Sequence, residues 1–479
     1  MEQISHNTQD TYWQGGPVQA APVTQGFKLT QLGNAERLIG RHGHNIRYCH
    51  AWKKWLIWNG KQWKPDDTGQ IMGLAKDTVR SIYKEAAALH YEGHALNHAR
   101  ASESRYELEA MTVLAQDRVP VMPQELDSDP FMFNCQNGTI DLPTGKLQPH
   151  RPERMLSKIS PVTFDEKAGC PIWAAFLDRL FGGSADLVSF MQMAIGYSLT
   201  GAVTEKALFV LCGDGDNGKT TLLEAFRYIM GDYAGSIEIN SLMQSASSSD
   251  QQRTVADLLG KRFVTASEAE EGQKLNEAKI KQLTGMGKQV GRRLYGHAFE
   301  FDPQFKLFID ANHKPVIRGS DPAIWNRIRL VPFAVSIPKA EQDRGLLAKL
   351  RVEAPGILSW AVQGCLEWQR EGFLGTPAAI TEAVESYREE MDIVAQFIAD
   401  CCAVDPGLEA EAGELYLHFQ QWCDQRREQP NSSTAFAKRL GDKGYEAGPD
   451  IPGPETPGTC TQSHAVSTNN SLSDRFVTG

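Results

Sequence analysis

The stretch that decides the fold is Ala207-Leu208-Phe209-Val210-Leu211-Cys212, then Gly213-Asp214-Gly215-Asp216-Asn217-Gly218-Lys219-Thr220, then Thr221-Leu222-Leu223-Glu224-Ala225-Phe226. Its middle part matches G-x-x-x-x-G-K-[ST] between an apolar strand pattern and a helical pattern. Glycines let backbone N–H groups point at a polyphosphate, while Lys219 neutralises phosphate oxygens and the Thr220 hydroxyl reaches Mg²⁺. A glycine-rich turn before an ordinary helix is the alternative, and it leaves the Lys-Thr pair unexplained. The predicted binding residues for ATP and Mg²⁺ are Gly213, Asp214, Gly215, Asp216, Asn217, Gly218, Lys219, Thr220 and Thr221.

Two further apolar strands with polar ends follow in this α/β block. Phe263 to Ser267 leads into Glu268, a carboxylate positioned to polarise a water beside the γ-phosphate. The alternative is that Glu268 only begins a solvated acidic run with Glu270 and Glu271. Phe308-Ile309-Asp310-Ala311-Asn312 is the second strand, and the Asn312 amide can touch the γ-phosphate or the water. Without that context, Asn312 would be a turn residue.

Composition limits the classes of function. The 479 residues suggest about three domains at roughly 100–200 residues each. An uninterrupted apolar run long enough for a membrane span is missing from the sequence, and nine cysteines without a C-x-x-C pair give no zinc-ribbon spacing. We therefore expect no membrane partner, and a reducing cytoplasm. Because the net charge is −10, any nucleic-acid site must be a local basic surface.

A series of short motifs resembles the superfamily 3 helicase domain, and more closely the phage and plasmid primase-helicases that share it with the poxvirus type. The motifs are the Gly213 to Thr220 loop, Ser267-Glu268, Lys281-Gln-Leu-Thr-Gly285, Asn312-His-Lys-Pro315, Ala323 to Arg329 and Val331-Pro-Phe333. The flanking stretches Asn137 to Gly145, Cys170 to Trp173 and Gly196 to Thr200 are similar to the region before that ATPase. The resemblance covers roughly residues 30 to 445.

The resemblance implies roles for individual residues. Lys219 and Thr220 form the first ATPase motif, Glu268 the second and Asn312 the sensor, with Thr220 and Glu268 at the metal. Arg327 or Arg329 is the finger that reaches the ATP of a neighbouring subunit in a homo-hexamer. Many relatives carry two adjacent acids at the second motif, whereas Ser267 fills the first place here. Direct metal binding at that position is therefore put in doubt.

A basic stretch precedes the second polar-ended strand. This basic stretch contains one acid, Glu277, and the cations Lys274, Lys279, Lys281, Lys288, Arg292 and Arg293. Within it, Val290 to Phe299 reads as a β-hairpin with mixed aromatic and basic residues. The alternative is a helix face exposed to solvent, followed by a hairpin that has only a structural role. In the resembling helicases this hairpin projects into the channel of the ring. The DNA-binding candidates here are Lys288, Arg292, Arg293 and His297.

The C-terminal part, around Ala412 to Trp422 and Thr434 to Leu440, resembles a small winged-helix-like module. Lys438 and Arg439 are its DNA-binding candidates, and a plain bundle of three or four helices fits the same residues. Asp127-Ser128-Asp129 mimics a primase metal motif, but a turn explains it better.

The predicted fold is α/β: a P-loop, AAA+-like ATPase core with an α-rich N-terminal region and a small C-terminal module. The predicted divisions are a flexible leader (1–25), an N-terminal α/β region (26–200), the ATPase core (201–340), a helical extension (341–395), the winged-helix-like module (396–447) and a disordered tail (448–479). Too few residues precede the shared region to form a primase domain, so a separate primase is a possible partner.

The function expected from these features is an ATP-dependent replicative DNA helicase of a phage, prophage or plasmid. It would act on single-stranded or forked DNA in the cytoplasm of a bacterial host. One alternative is a DNA-binding initiator or scaffold that uses ATP only to assemble. A weaker one is an unrelated P-loop signalling NTPase.

Overall fold

The computed structural model describes most of the chain between residues 27 and 468. The described ranges are 27–88, 93–244, 254–267, 272–292, 298–319, 321–405, 408–426, 428–445, 459–460 and 465–468. The leader predicted for residues 1–25 therefore lies outside the described residues.

The helices are α1 (Gln31–His42), α2 (Gln70–Ala88), α3 (His94–Ser102), α4 (Arg105–Leu114), α5 (Pro171–Leu180), α6 (Ala185–Leu199), α7 (Lys219–Met230), α8 (Glu277–Leu283), α9 (Pro322–Trp325), α10 (Leu346–Val352), α11 (Ala354–Glu371), α12 (Ala378–Glu390), α13 (Ile393–Cys401), α14 (Ala412–Gln425) and α15 (Ser433–Asp442). Single 3₁₀ turns lie at Gln116–Arg118, Pro123–Glu125, Pro152–Arg154, Gly231–Tyr233, Ile239–Leu242 and Lys339–Glu341.

The strands are β1 (Ile46–Cys49), β2 (Lys54–Trp58), β3 (Trp63–Pro65), β4 (Met132–Cys135), β5 (Gly138–Asp141), β6 (Lys146–Gln148), β7 (Leu208–Cys212), β8 (Ala234–Ser236), β9 (Phe263–Ser267), β10 (Gln289–Arg292), β11 (Ala298–Phe301), β12 (Lys306–Ala311), β13 (Ile328–Pro332), β14 (Cys402–Asp405), β15 (Ala410–Glu411), β16 (Thr459–Cys460) and β17 (Ala465–Thr468).

A five-stranded parallel sheet in the order β13-β7-β12-β9-β8 forms the centre of the α/β fold. Its three inner strands are near-continuous apolar runs because both faces of the sheet are covered. Phe308 stacks on Phe209 of the neighbouring strand with ring centroids 4.5 Å apart, and it contacts Phe263 on the other side at 4.6 Å. This order brings the carboxyl ends of β7, β12 and β9 together at one edge.

Two hydrophobic cores cover the two faces of this sheet. One contains residues of α5, α6, α7 and α11, and the other contains residues of α8, α9 and β13 together with Tyr387 of α12. Helix α11 lies directly against α6: a Cβ at Gly364 would be 2.1 Å from the carbonyl oxygen of Gln192, so only glycine permits this approach. Residues of the predicted helical extension 341–395 thus share a core with the segment before the P-loop.

Two fully buried cations tie the segment before the P-loop to the amino end of the sheet. Arg262 donates to the carbonyl of Leu199 at 2.6 Å, and its guanidinium lies 4.7 Å from the ring centre of Tyr233. Lys306 donates to the carbonyls of Thr200 and Ala202. Burial lowers the pKa of Lys306 well below its usual value. Backbone carbonyls accept hydrogen bonds from both cations, although the Nε of Arg262 has no partner among the described residues.

Smaller units flank the sheet. At the N-terminal side, α1, α2 and α4 pack with β1 and β2 around their own core. At the C-terminal side, α13, α14 and α15 enclose a cluster of aromatic rings that includes Phe397, Phe419 and Phe436.

Within the segment 448–479, predicted to be disordered, β16 pairs with β15 and β17 pairs with β14. The hydrogen-bond partners of these six residues lie on distant strands, which composition cannot reveal.

Candidate functional site

The glycine-rich loop connects β7 to α7 at the carboxyl edge of the sheet. The strand ends at Cys212, and the helix begins at Lys219 after Gly218, whose φ of +79° suits glycine. Gly218 makes no side-chain cap hydrogen bond in the described structure, so the first N–H groups of α7 are left to other acceptors. A helix start of this kind favours anions.

Lys219 lies inside the loop, with only 3% of its side chain exposed. Its Nζ donates to the Gly213 carbonyl at 2.5 Å, to Asn217 Oδ1 at 3.0 Å and to Asn312 Oδ1 at 3.2 Å. Burial lowers the pKa of this ammonium, and the nearby Asp310 carboxylate opposes that effect. The structure thus brings together Lys219 and Asn312, two of the residues predicted for the site.

Asp310 is a site residue that the sequence analysis did not select. Its Oδ2 accepts a hydrogen bond from Thr220 Oγ1 at 2.8 Å, and its Oδ1 lies 3.9 Å from Lys219 Nζ. A signal was present in the sequence, because residues two apart on a strand point to the same face. The choice of Asn312, directly after β12, could therefore have pointed to Asp310 as well.

Glu268, the carboxylate predicted for the second ATPase motif, lies outside the described residues. It directly follows β9, whose last residue, Ser267, pairs with Asp310 of β12. Among the described residues, no group of three or more His, Cys, Asp or Glu side chains has the arrangement of a metal site.

Arg327 and Arg329 lie at the opposite end of the sheet from the loop. Ile328, the first residue of β13, pairs with Leu208, whereas Pro332 pairs with Cys212 next to the loop. Four residues of strand correspond to about 13 Å. Neither arginine is therefore placed to contact a phosphate in the loop of its own chain.

The two arginines differ in their contacts. Arg327 donates to Thr284 Oγ1 at 3.2 Å and to the carbonyl of Ala323. Arg329 donates to the carbonyls of Asn326 and Ile328, and its Nε has no hydrogen-bond partner within the described structure. Burial lowers the pKa of Arg329. Each arginine therefore makes two hydrogen bonds within its own chain, and Arg329 differs in having a buried Nε without a partner among the described residues.

The hairpin predicted between Val290 and Phe299 is present as the antiparallel pair β10–β11. Lys288 lies at its base, exposed, 3.8 Å from Glu300 Oε2, and Arg292 is exposed at the end of β10. Arg293 and His297 lie outside the described residues. Two other cations of the basic stretch bind within the chain: Lys281 pairs with Asp321 and Lys274 donates to Gln429.

The two C-terminal candidates have different surroundings. Lys438 is exposed on α15, whereas the half-buried Arg439 donates to the carbonyl of Arg318, in the segment after β12. Arg318 in turn pairs with Glu428 at 2.7 Å. Arg439 thus joins the C-terminal helices to the segment that follows β12, and Lys438 is the candidate that faces solvent.

Asp127, weighed above as half of a metal motif, has a structural role. Its carboxylate accepts hydrogen bonds from the backbone N–H groups of Ser157 at 2.8 Å and Lys158 at 3.2 Å, and the side chain is buried. Asp129 accepts from the N–H of Phe131 at 2.8 Å. The prediction of a turn is confirmed.

An open pocket of about 280 Å³ adjoins the loop. It lies between the end of β13 and α12, and it is lined in part by Cys212, Gly213, Phe333, Ser336 and Ser386.

None of the helices that the structure describes combines the length and apolar character needed to cross a membrane.

Comparisons with known proteins agree with this architecture. Residues 35–182 match the family described as D5 N terminal like, and residues 211–327 match a family of unknown function, DUF5906. A "Putative helicase" of Acanthamoeba polyphaga mimivirus is 25% identical over 63% of this chain and 34% of its own length. A "Putative helicase" of Frog virus 3 is 24% identical over 63% of this chain and 40% of its own.

These matches support a D5-like primase-helicase family for the chain. The chain spans about a third to two fifths of the length of these two viral relatives. A solved structure, the apo C-terminal region of NrS-1, aligns over 90% of this chain and 99% of its own, with 12% identity and a TM-score of 0.49.

Proposed function

We propose that this D5-like chain is an ATP-dependent DNA helicase of replication with a superfamily 3, AAA+-like core. The observation that carries the proposal is the position of Lys219. Its ammonium is buried inside the loop and donates a hydrogen bond to Asn312, which follows the neighbouring strand. A lysine so placed can neutralise β- and γ-phosphate oxygens, while Asn312 contacts the γ-phosphate. Relatives named as helicases support the choice of reaction.

The residues present fit a nucleotide with its Mg²⁺. The start of α7 offers unoccupied N–H groups, Lys219 offers a buried cation, and the Thr220 hydroxyl offers an oxygen ligand. The bound Mg²⁺ would neutralise charge on the transferring phosphoryl group. Glu268 would take a proton from the attacking water, and the pocket beside Cys212 and Phe333 would receive the nucleoside.

The proposed assembly is a homo-hexamer, in which Arg327 or Arg329 completes the ATP site of the neighbouring subunit. The position of β13 supports this role, because Arg329 lies about 10 Å and Arg327 about 17 Å along the chain from the end of the strand next to their own loop. Their contacts favour Arg329. Single-stranded DNA would bind the β10–β11 hairpin through Lys288, Arg292, Arg293 and His297. The C-terminal helices, as a winged-helix-like module, would add Lys438 and Arg439.

The host element proposed is a phage, prophage or plasmid in a bacterial cytoplasm, with a separate primase as a possible partner. The second candidate is an initiator or scaffold that binds ATP only to assemble on DNA. The exposed hairpin is compatible with both, because its cations bind DNA in either case.

ATP turnover with and without single-stranded DNA, and unwinding of a labelled fork, test the proposal. We expect DNA to stimulate turnover and ATP to drive strand separation. Lys219→Met serves as the matched inactive control. DNA binding and ATP-dependent assembly without stimulation or unwinding would support the initiator instead, and ATP turnover without DNA affinity would support a signalling NTPase.

A further inference from the structure

Asp310 is the acidic side chain that contacts the Mg²⁺-binding end of the loop in the part of the chain that the structure describes. It is the fifth residue of β12, with 12% of its side chain exposed. Its Oδ2 is 2.8 Å from the Thr220 hydroxyl oxygen. The carboxylate therefore reaches across from a neighbouring strand to the second residue of α7.

The spacing of these two oxygens is that of an ordinary hydrogen bond, and it also fits two ligands of one cation. Mg²⁺ binds oxygen at 2.0–2.1 Å in near-ideal octahedral geometry, so two neighbouring ligands are about 2.9 Å apart. The observed 2.8 Å between Thr220 Oγ1 and Asp310 Oδ2 matches that separation. Mg²⁺ sites at nucleotides typically combine one or two protein carboxylates with phosphate oxygens and water. The pair thus supplies a hydroxyl and a carboxylate at the right mutual distance.

The strand register explains how Asp310 comes to lie at this position. Asp310 pairs with Ser267 on one side and with Leu211, near the end of the P-loop strand, on the other. Ser267 carries no negative charge at the position before Glu268, where an acid would otherwise face the metal. Asp310 puts a carboxylate on the strand between the two motifs, one strand away from Ser267.

A simpler role for Asp310 would be as counter-ion of Lys219. The distances argue against this role as its main one. Asp310 Oδ1 lies 3.9 Å from Lys219 Nζ, while Gly213, Asn217 and Asn312 all accept from that ammonium at 2.5 to 3.2 Å. The closest partner of Asp310 at the loop is the Thr220 hydroxyl, not the lysine.

We propose that Asp310, together with Thr220, binds the divalent cation of the nucleotide, and that it takes the place of the acid missing at Ser267. This inference rests on the proposed nucleotide-binding function and adds the residue that selects the metal-bound form of the nucleotide. Glu268 keeps the separate task of accepting the proton.

The affinity of the full chain for a fluorescent ADP analogue, measured in Mg²⁺ and again in EDTA, tests this role without any turnover. The variant is Asp310→Asn, which keeps the shape and removes the charge. The matched control is Asp302→Asn, an exposed acid just before the same strand. Mn²⁺ titrated with ADP and followed by electron paramagnetic resonance reports the cation directly. Circular dichroism checks that each variant is folded.

For the wild type and Asp302→Asn we expect tighter binding in Mg²⁺ than in EDTA. For Asp310→Asn the gain from Mg²⁺ should shrink by about 10- to 100-fold, the range for lost metal-site partners. Its affinity in EDTA should stay equal or rise, because a negative charge near the phosphates is gone. Mn²⁺ bound with ADP should weaken in parallel.

Two results would overturn the inference while leaving the proposed function intact. One is an unchanged gain from Mg²⁺ in Asp310→Asn, which would place the cation elsewhere. The other is an equal loss of affinity in Mg²⁺ and in EDTA, which would make Asp310 a residue that positions Lys219. A wild type that binds no nucleotide in either condition would instead overturn the proposed function and this inference with it.

Discussion

Replacement of Lys219 by methionine is the sharpest test of the phosphate site. The change keeps the length of the side chain and removes its charge. In the proposed reaction Lys219 makes two charge-assisted hydrogen bonds to phosphate oxygens, each worth about 1.5–3 kcal/mol. Their sum, about 3–6 kcal/mol, corresponds to a loss of roughly 10²–10⁴-fold in ATP turnover.

The fold should survive this change. Burial lowers the pKa of Lys219, which shows that its charged form is penalised in the folded chain. Removing a desolvated charge offsets part of the hydrogen bonds lost to Gly213, Asn217 and Asn312. We expect the free energy of unfolding to change by about 1 kcal/mol or less.

Steady-state phosphate release and urea unfolding on the same preparation measure both quantities. Lys339→Met, at an exposed lysine in a 3₁₀ turn away from the loop, is the control for a general effect of losing a lysine. Turnover within threefold of wild type in a folded Lys219→Met protein would refute the assignment. Unfolding of the variant would refute the energetic reasoning.

Three further predictions concern the remaining proposed residues. Glu268→Gln should retain ATP binding and lose roughly 10²–10⁴-fold in hydrolysis, while Glu270→Gln should matter much less; a reversed order would misplace the catalytic acid by two residues. Arg329→Ala mixed with wild type should reduce ATPase more than in proportion to its fraction, and Arg327→Ala less so; strictly proportional loss for both would argue against a shared site. Replacing Arg292 and Arg293 with glutamine should lower the salt slope of single-strand binding by about 0.7 per lost contact, with DNA-free ATPase retained; an unchanged slope would make the stretch a solvated face.

The loop and the sheet could be predicted from the sequence because their signals are local. Strand β7, the glycine-rich loop and α7 follow one another without a break, and each is defined by the residues within it. The β10–β11 hairpin was likewise predicted from the mixed aromatic and basic residues of its own segment. Asp310 was missed for a different reason: its role depends on which strand lies beside β7, and a strand order is not written in any single segment.

Contacts between distant segments account for the other differences. The basic stretch looked uniform in sequence, yet Lys281 pairs with Asp321 forty residues later, and Lys274 binds Gln429. Arg439 similarly donates a hydrogen bond to Arg318 in the segment after β12. Charge patterns count cations but cannot show which of them already have partners in the fold, so they overestimate the surface left for DNA.

The segment that follows β12 links the proposed ATP site to the rest of the fold. Asn312 at its start bonds Lys219, Lys314 pairs with Glu390 of α12 at 2.8 Å, and Arg318 pairs with Glu428 in the C-terminal part. The N–H of Gly319 donates to Glu277 at 2.6 Å, at the start of the helix that leads toward the β10–β11 hairpin.

In the proposed helicase, a nucleotide that displaces Asn312 from Lys219 acts on this same segment of eight residues. Helix α8 shares a hydrophobic core with Ile317 of this segment. The C-terminal helices are held to the segment by ion pairs and hydrogen bonds. Such contacts can exchange at modest free-energy cost, since exposed ion pairs contribute about 0–1 kcal/mol each. The proposed ATP site and the proposed DNA-binding elements are therefore joined through one short segment, whose ion pairs with the C-terminal helices are weak enough to exchange during the proposed cycle of hydrolysis.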